Sequence, residues 1–191
     1  MNSQDSLQKR GASLESQFFS DVDAKLVEAL QADLERADNK KALTELSGLQ
    51  DRKAIDALIA SGVSPATLPA LRLFPLIAVA WADGRLEPNE RETVLEAATK
   101  HGLDRESASG KIIASWLEKN PSAELFDAWE AFVKTLISKL PVADALTVQS
   151  TILEEINAVA KAAGGVLGWN AISKGESKVM NRIEQALKRE A

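Results

Sequence analysis

An uncharged apolar run from Leu73 to Ala82 leads directly into Asp83-Gly84 and then into Glu87-Pro88-Asn89-Glu90, within the stretch LRLFPLIAVAWADGRLEPNERETVL at Leu71 to Leu95. No other part of the chain joins apolar packing, a forced turn and a cluster of carboxylates. A segment apolar on nearly all sides and far shorter than a bilayer span belongs at the buried centre of a helical bundle. Gly84 ends it, and Pro88 suits the first position of a new helix because the amide hydrogen that proline lacks has no helical partner there. The stretch therefore predicts a helix-turn-helix unit with its first helix in the core and its second carrying Glu90 in the first turn, where the helix dipole favours an anion.

The rest of the chain repeats the same grammar. Residues 1–12 have no periodic apolar pattern and are expected to be flexible. Phe18, Phe19, Val22, Leu26, Val27, Leu30 and Leu34 recur at helical spacing, Leu43, Leu46 and Leu49 suggest a short second helix, and Ala54, Ile55, Leu58 and Ile59 a third ending at Gly62. These make an N-terminal helical extension over 13–64. Ser64-Pro65 reads as a helix start, and Pro75 must begin or kink a helix. Asp104 is the expected cap of a helix that buries Ile112, Ile113, Trp116 and Leu117. Leu125, Phe126, Trp129, Phe132, Val133 and Leu136 form the buried face of the next, which Pro141 closes. A long helix then runs through Leu146, Ile152, Leu153, Ile156, Val159 and Ala160 to Gly164-Gly165. After an apolar loop with Val166, Leu167 and Trp169, the capping-box sequence Ser173-Lys174-Gly175-Glu176 opens a last helix with Val179, Met180, Ile183 and Leu187 on its inner face. No segment alternates with period two, so the fold class is all-α, with roughly eight or nine helices.

Two parts of this pattern align. AVAWADGRLEPNERETVL from Ala78 matches AVAKAAGG from Ala158 joined, across an insertion, to AISKGESKVM from Ala171. Ala80 pairs with Ala160, Gly84 with Gly164, Leu86 with Ile172 and Glu90 with Glu176. The chain thus reads as a diverged duplication of one helix-turn-helix unit, about 71–100 and 151–188, with Ala163 where the first copy has Asp83.

Charge and composition narrow the function. A net charge of −5 with basic residues scattered among acids argues against nucleic acid, whose phosphates demand a concentrated basic face. No apolar run is long enough to insert in a membrane, and the polar start MNSQDSLQKRGASLESQ shows no signal-like segment, so the cytoplasm is the expected location. With no cysteine, no tyrosine and a single histidine, catalysis would have to rest on carboxylates, Ser, Thr, Lys and His101. His101 stands before Gly102 at a helix C-terminus, which favours a structural role.

The carboxylates carry the remaining chemistry. Asp83, Gly84, Leu86, Glu87 and Glu90 coincide with the second half of a calcium-binding EF-hand loop, but Val79 and Trp81 stand where its first ligands would be, so a self-contained calcium loop is excluded. A looser divalent cation site (Ca, Mg, Mn or Zn) would need Asp83, Glu87 and Glu90 to converge with Glu176. On the alternative reading, these acids satisfy helix ends. Trp169, Val166 and Leu167 either cover the core or present a surface to a protein partner.

AVAWADGRLEPNERETVLEAA (Ala78 to Ala98) and the weaker AVAKAAGG and ISKGESKVMNRI resemble the TerB-like family, the tellurite-resistance-associated helical domain also similar to the N-terminal region of DjlA-type membrane co-chaperones. The resemblance covers about 65–191. It implies a compact pseudo-symmetric multi-helix domain, bacterial and cytoplasmic, tied to stress responses, with acidic residues holding a metal ion. Asp83 and Glu90 match the acids of the first motif and Glu176 the Glu of the second, whose Asp is replaced by Ala163. The resulting expectation is a non-enzymatic interaction or sensing module with a protein partner. The alternatives are a metal-dependent hydrolase using the same carboxylates and a ligand-free helical scaffold.

Overall fold

A computed structural model describes residues 34–163 and 172–189. Packing divides the chain into two units, Met1–Lys41 and Ala42–Ala191. Of the first, the described part, 34–41, is helical and belongs to helix α1 (34–47). Leu34, from the first amphipathic pattern, is exposed; the rest of that pattern lies outside the described residues.

The second unit is all-helical, with no strand among the described residues: α2 (Arg52–Ala60), a 3-10 turn (Leu68–Leu73), α3 (Phe74–Ala80), α4 (Pro88–Lys100), α5 (Ala108–Glu118), α6 (Ala123–Lys139), α7 (Val142–Ala163) and α8 (Lys174–Leu187). No helix among the described residues is long and apolar enough to cross a membrane.

Helix α3 is the hub. Pro75 sits in its first turn, the one place where proline leaves the helix intact, and Phe74, Leu76, Ile77, Val79 and Ala80 are all buried. The Phe74 ring meets Trp116 of α5 edge-on at 6.1 Å, Phe126 of α6 edge-on at 5.5 Å, and Trp129 of α6 at 6.0 Å. The two edge-on contacts align ring edges with ring faces, the Trp129 ring is tilted by 34°, and together they tie α5 and α6 to α3 through one side chain. Trp81, just past the end of α3, donates from Nε1 to the Trp116 carbonyl at 2.9 Å, and Trp116 Nε1 donates to the Ser61 carbonyl at 3.4 Å. Both indoles are thereby satisfied as well as packed.

Helix α3 also packs against α7 and α8, and α4 against α7, so the helix pairs α3/α4 and α7/α8 that the repeat aligns lie against each other. Helix α2 packs on α6, and Leu43, Leu49, Ala54, Ile55, Leu58 and Val63 share one core with α3.

Several local expectations shift. The apolar run does not stay helical to Ala82: α3 ends at Ala80, and Trp81, Ala82 and Asp83 form a turn that closes with Gly84 N donating to the Trp81 carbonyl at 2.9 Å. Gly84 has φ +84°, which explains the glycine. Ser64-Pro65 begins a turn, pinned by Ser64 N donating to Thr67 Oγ1, before the 3-10 segment starts at Leu68. Ser107, not Asp104, caps α5: its Oγ accepts from Gly110 N, while the Asp104 carbonyl receives the Ser107 amide and hydroxyl. Leu46 is 63% exposed although Leu43 and Leu49 are buried.

Candidate functional site

The carboxylates gather where the start of α4 and the start of α8 approach the turn after α3. Each helix opens with a capping box. Glu87 N donates to Glu90 Oε2 at 2.8 Å, and Ser173 N donates to Glu176 Oε2 at 2.6 Å, while Ser173 Oγ accepts from Glu176 N at 3.1 Å. The two glutamates that the repeat aligns therefore occupy the same third helical position and do the same local work, satisfying an amide that the helix leaves unpaired.

What sets them apart from ordinary capping residues is burial. Glu90 is 3% exposed and Glu176 6%, against the solvated position usual for an N-terminal acid. Gly175 brings α8 into this contact, because a Cβ there would lie 2.5 Å from the Ala82 carbonyl oxygen; only glycine lets the first turn of α8 rest on that backbone. Leu86, half-buried against the core, anchors the other side.

Burial pushes the Glu90 carboxyl up to about 7; the Glu87 amide opposes this, and the charges of Asp83, Glu176 and Glu87 add to it. Glu176 Oε1 is buried and has no hydrogen-bond partner among the described residues. A protonated Glu90 is the state this environment favours, since two neighbouring buried carboxylates cannot both ionise without cost.

The other two acids remain outside. Asp83 is exposed and accepts from Arg85 N at 3.1 Å, an Asx-type turn that fixes the loop. Glu87 is exposed as the N-cap of α4. Among the described residues no group of three or more His, Asp or Glu side chains is set to hold a metal ion, so Asp83, Glu87, Glu90 and Glu176 make no ready-formed cation cage. The inner pair offers two buried carboxyls, each with one oxygen held by a backbone amide, a donor set that fits a proton more directly than a multidentate ion.

His101 sits at the end of α4, but on the far side from this junction, where its Nε2 meets Glu155 of α7. Trp169, Val166 and Leu167, together with Gly164 and the Ala163 side chain, fall outside the described part of the structure. A groove of about 820 Å³ between the end of α2 and the α5–α6 connection is lined by Lys53, Ser61, Trp116 and Asn120 among others and contains none of the four acids. The sequence names all four acids but not the division between an inner pair and an outer one. The local signal for that division is Gly175 inside a capping box, a residue with poor helix propensity that marks a close backbone approach.

Comparison with known proteins gave no matching family model, no matching curated protein and no matching solved structure.

Proposed function

We propose that the chain is a non-enzymatic interaction or sensing module of a bacterial stress response, of the TerB-like kind that Ala78 to Ala98 resemble, and that the Glu90/Glu176 junction is its responsive element. The observation that carries this reading is Glu176 Oε1, buried and without a partner beside a second buried carboxyl whose affinity for protons is raised into the physiological range. A natural chain leaves such a group unsatisfied at a cost of about 1–3 kcal/mol, and that cost is relieved by whatever neutralises the pair.

Burial weighs against the hydrolase alternative. General acid and base carboxylates must reach a water and a substrate at hydrogen-bond distance, and these two are closed off by α4, α8 and the turn between Ala82 and Gly84. In the module reading, a proton or a divalent cation taken up between Glu90 and Glu176 changes how firmly α8 is held, and a protein partner reads that change.

The test is thermal unfolding of EDTA-stripped protein at pH 6 and pH 8, with and without Ca, Mg, Mn and Zn, for the native chain and for Glu90→Gln and Glu176→Gln. Proton sensing gives a native melting temperature that depends on pH and a Glu90→Gln one that does not. A cation at about 100 times its dissociation constant adds about 2.7 kcal/mol, on the order of 5–10 °C, and the substitutions abolish that gain. Melting that is indifferent to both pH and metal sinks the sensing reading and leaves a ligand-free scaffold.

A further inference from the structure

Helices α6 and α7 are joined only through Leu140 and Pro141; α6 packs on α2 and α8, and α7 mainly on α3 and α4 and less extensively on α8. The two helices splay from the proline, and an apolar groove of about 540 Å³ opens between them, floored by the 3-10 segment. Its walls include Leu68, Trp129, Phe132, Leu136 and Val148. Phe132, Leu136 and Val148 are only half-buried, although the periodicity of α6 assigns the first two to the core.

The polar lining is sparse and one-sided. Thr147 and Thr151 turn their hydroxyls back to carbonyls of their own helix, at Ala143 and Thr147. Among the described residues no aspartate or glutamate lines the groove, in a chain with net charge −5. Its one ionised group is Arg72, exposed and with no hydrogen bond or ion pair among the described residues. A guanidinium with no partner among the described residues, beside an apolar slot, is matched by a ligand with a single carboxylate head and an apolar tail.

Size separates that ligand from a protein segment. The volume lies within the range of small-molecule sites, roughly 300–1,000 Å³. A three-turn helix, roughly 10–12 Å across with its side chains, occupies about twice that space or more, so it would lie over the groove rather than fill it. We propose that this groove binds one single-chain fatty carboxylate, its alkyl chain between α6 and α7 and its head on Arg72.

Calorimetric titration of the full chain with octanoate, decanoate and laurate below their micelle concentrations tests the proposal, alongside 1-decanol as an uncharged tail. The expected result is one ligand per chain, tightening about two- to fourfold per added methylene. Decanoate binds about tenfold more tightly than decanol, and Arg72→Gln removes that difference without weakening decanol. Thr147→Phe, at an exposed lining position, weakens both ligands while circular dichroism shows native helicity. Methyl chemical-shift changes fall on Leu136 and Val148. Absence of saturable one-to-one binding overturns the proposal. So does equal affinity for decanol and decanoate with no effect of Arg72→Gln, which is adsorption to an apolar surface. A dimer in solution that excludes laurate assigns the groove to a second copy and equally overturns it.

Discussion

The imidazole Nε2 of His101, the residue that ends α4, lies 2.5 Å from Oε1 of Glu155 in the middle of α7, with both side chains about nine-tenths buried. Glu155 Oε2 has no hydrogen-bond partner among the described residues. The chain's single histidine is thus the one hydrogen-bond partner of a buried carboxylate among the described residues, and it adds a polar tie between two helices, α4 and α7, that already pack on each other. Removing one member leaves an uncompensated buried charge, whereas removing both leaves only a packing defect. His101→Ala is therefore expected to cost about 3 kcal/mol, and the double variant His101→Leu/Glu155→Leu less than the sum of the singles. Urea unfolding of the four proteins measures the coupling; additive costs would show that the pair holds nothing.

Glu90 predicts how stability depends on pH. Its folded carboxyl titrates near 7, whereas the unfolded side chain titrates near the ordinary value of about 4.3. Between these values the folded protein holds a proton that the unfolded chain has lost, so stability falls as pH rises from about 4.5 through 7 and is flat above. The full shift corresponds to roughly 3 kcal/mol as an upper bound. Glu90→Gln keeps an oxygen for the Glu87 amide and needs no proton. It should melt at the same temperature at pH 5.5 and pH 8, and above the native chain at pH 8. A native chain more stable at pH 8 than at pH 5.5 contradicts the assignment.

The elements were largely legible in the sequence because their signals are local. Pro75 and Pro88 sit at helix starts, Gly84 at a turn with positive φ, and Glu90 and Glu176 at third helical positions, each as its neighbours dictate. What the sequence leaves hidden is non-local. Periodicity marks Phe132 and Leu136 as an apolar face, but whether that face meets another helix depends on where α7 goes after Pro141. Asp104 and Ser107 are both plausible caps, and the choice falls to Ser107 because Gly110, whose Cβ would lie 2.0 Å from the Asp104 carbonyl oxygen, draws the chain of Asp104 and Arg105 over the helix. The pairing of His101 with Glu155, far apart in the chain, has no sequence signal of its own.

Gly175 makes the acidic junction testable through the backbone. A methyl group at this position meets the Ala82 carbonyl oxygen at 2.5 Å and the Ala82 carbonyl carbon at 3.1 Å, neither of which can rotate away. Intrinsic propensity alone would make Gly→Ala in a helix stabilising by up to about 1 kcal/mol. Here Gly175→Ala is expected to destabilise by about 1–3 kcal/mol, because α8 must lift off the turn. Lifting α8 also rehydrates Glu90 and Glu176, so the variant should lose much of the pH dependence of the native chain. Chemical denaturation at pH 6 and pH 8 reads both effects, and a more stable Gly175→Ala would place α8 elsewhere.

Arg182 of α8 reaches across to α6, its guanidinium carbon 3.9 Å from the centre of the Phe126 ring, its Nε donating to Glu130 at 2.6 Å and Nη2 to Asp127 at 2.5 Å. The hydrogen bond to Glu130 raises its pKa further, so the side chain is charged throughout. The pairs are partly exposed, with Arg182 41% and Asp127 70% accessible, so solvent screens most of their attraction. The ring contact is the part that lysine cannot reproduce, because a planar guanidinium stacks on Phe126 while its fork serves two carboxylates. Arg182→Ala is expected to cost about 1 kcal/mol, and Arg182→Lys to recover less than half of that. High salt should weaken the native contact only slightly if stacking dominates and by most of its value if the carboxylates do. Guanidinium would mask that distinction, so urea with and without added NaCl is the measurement. A lysine variant as stable as the native chain would assign the contact to charge alone.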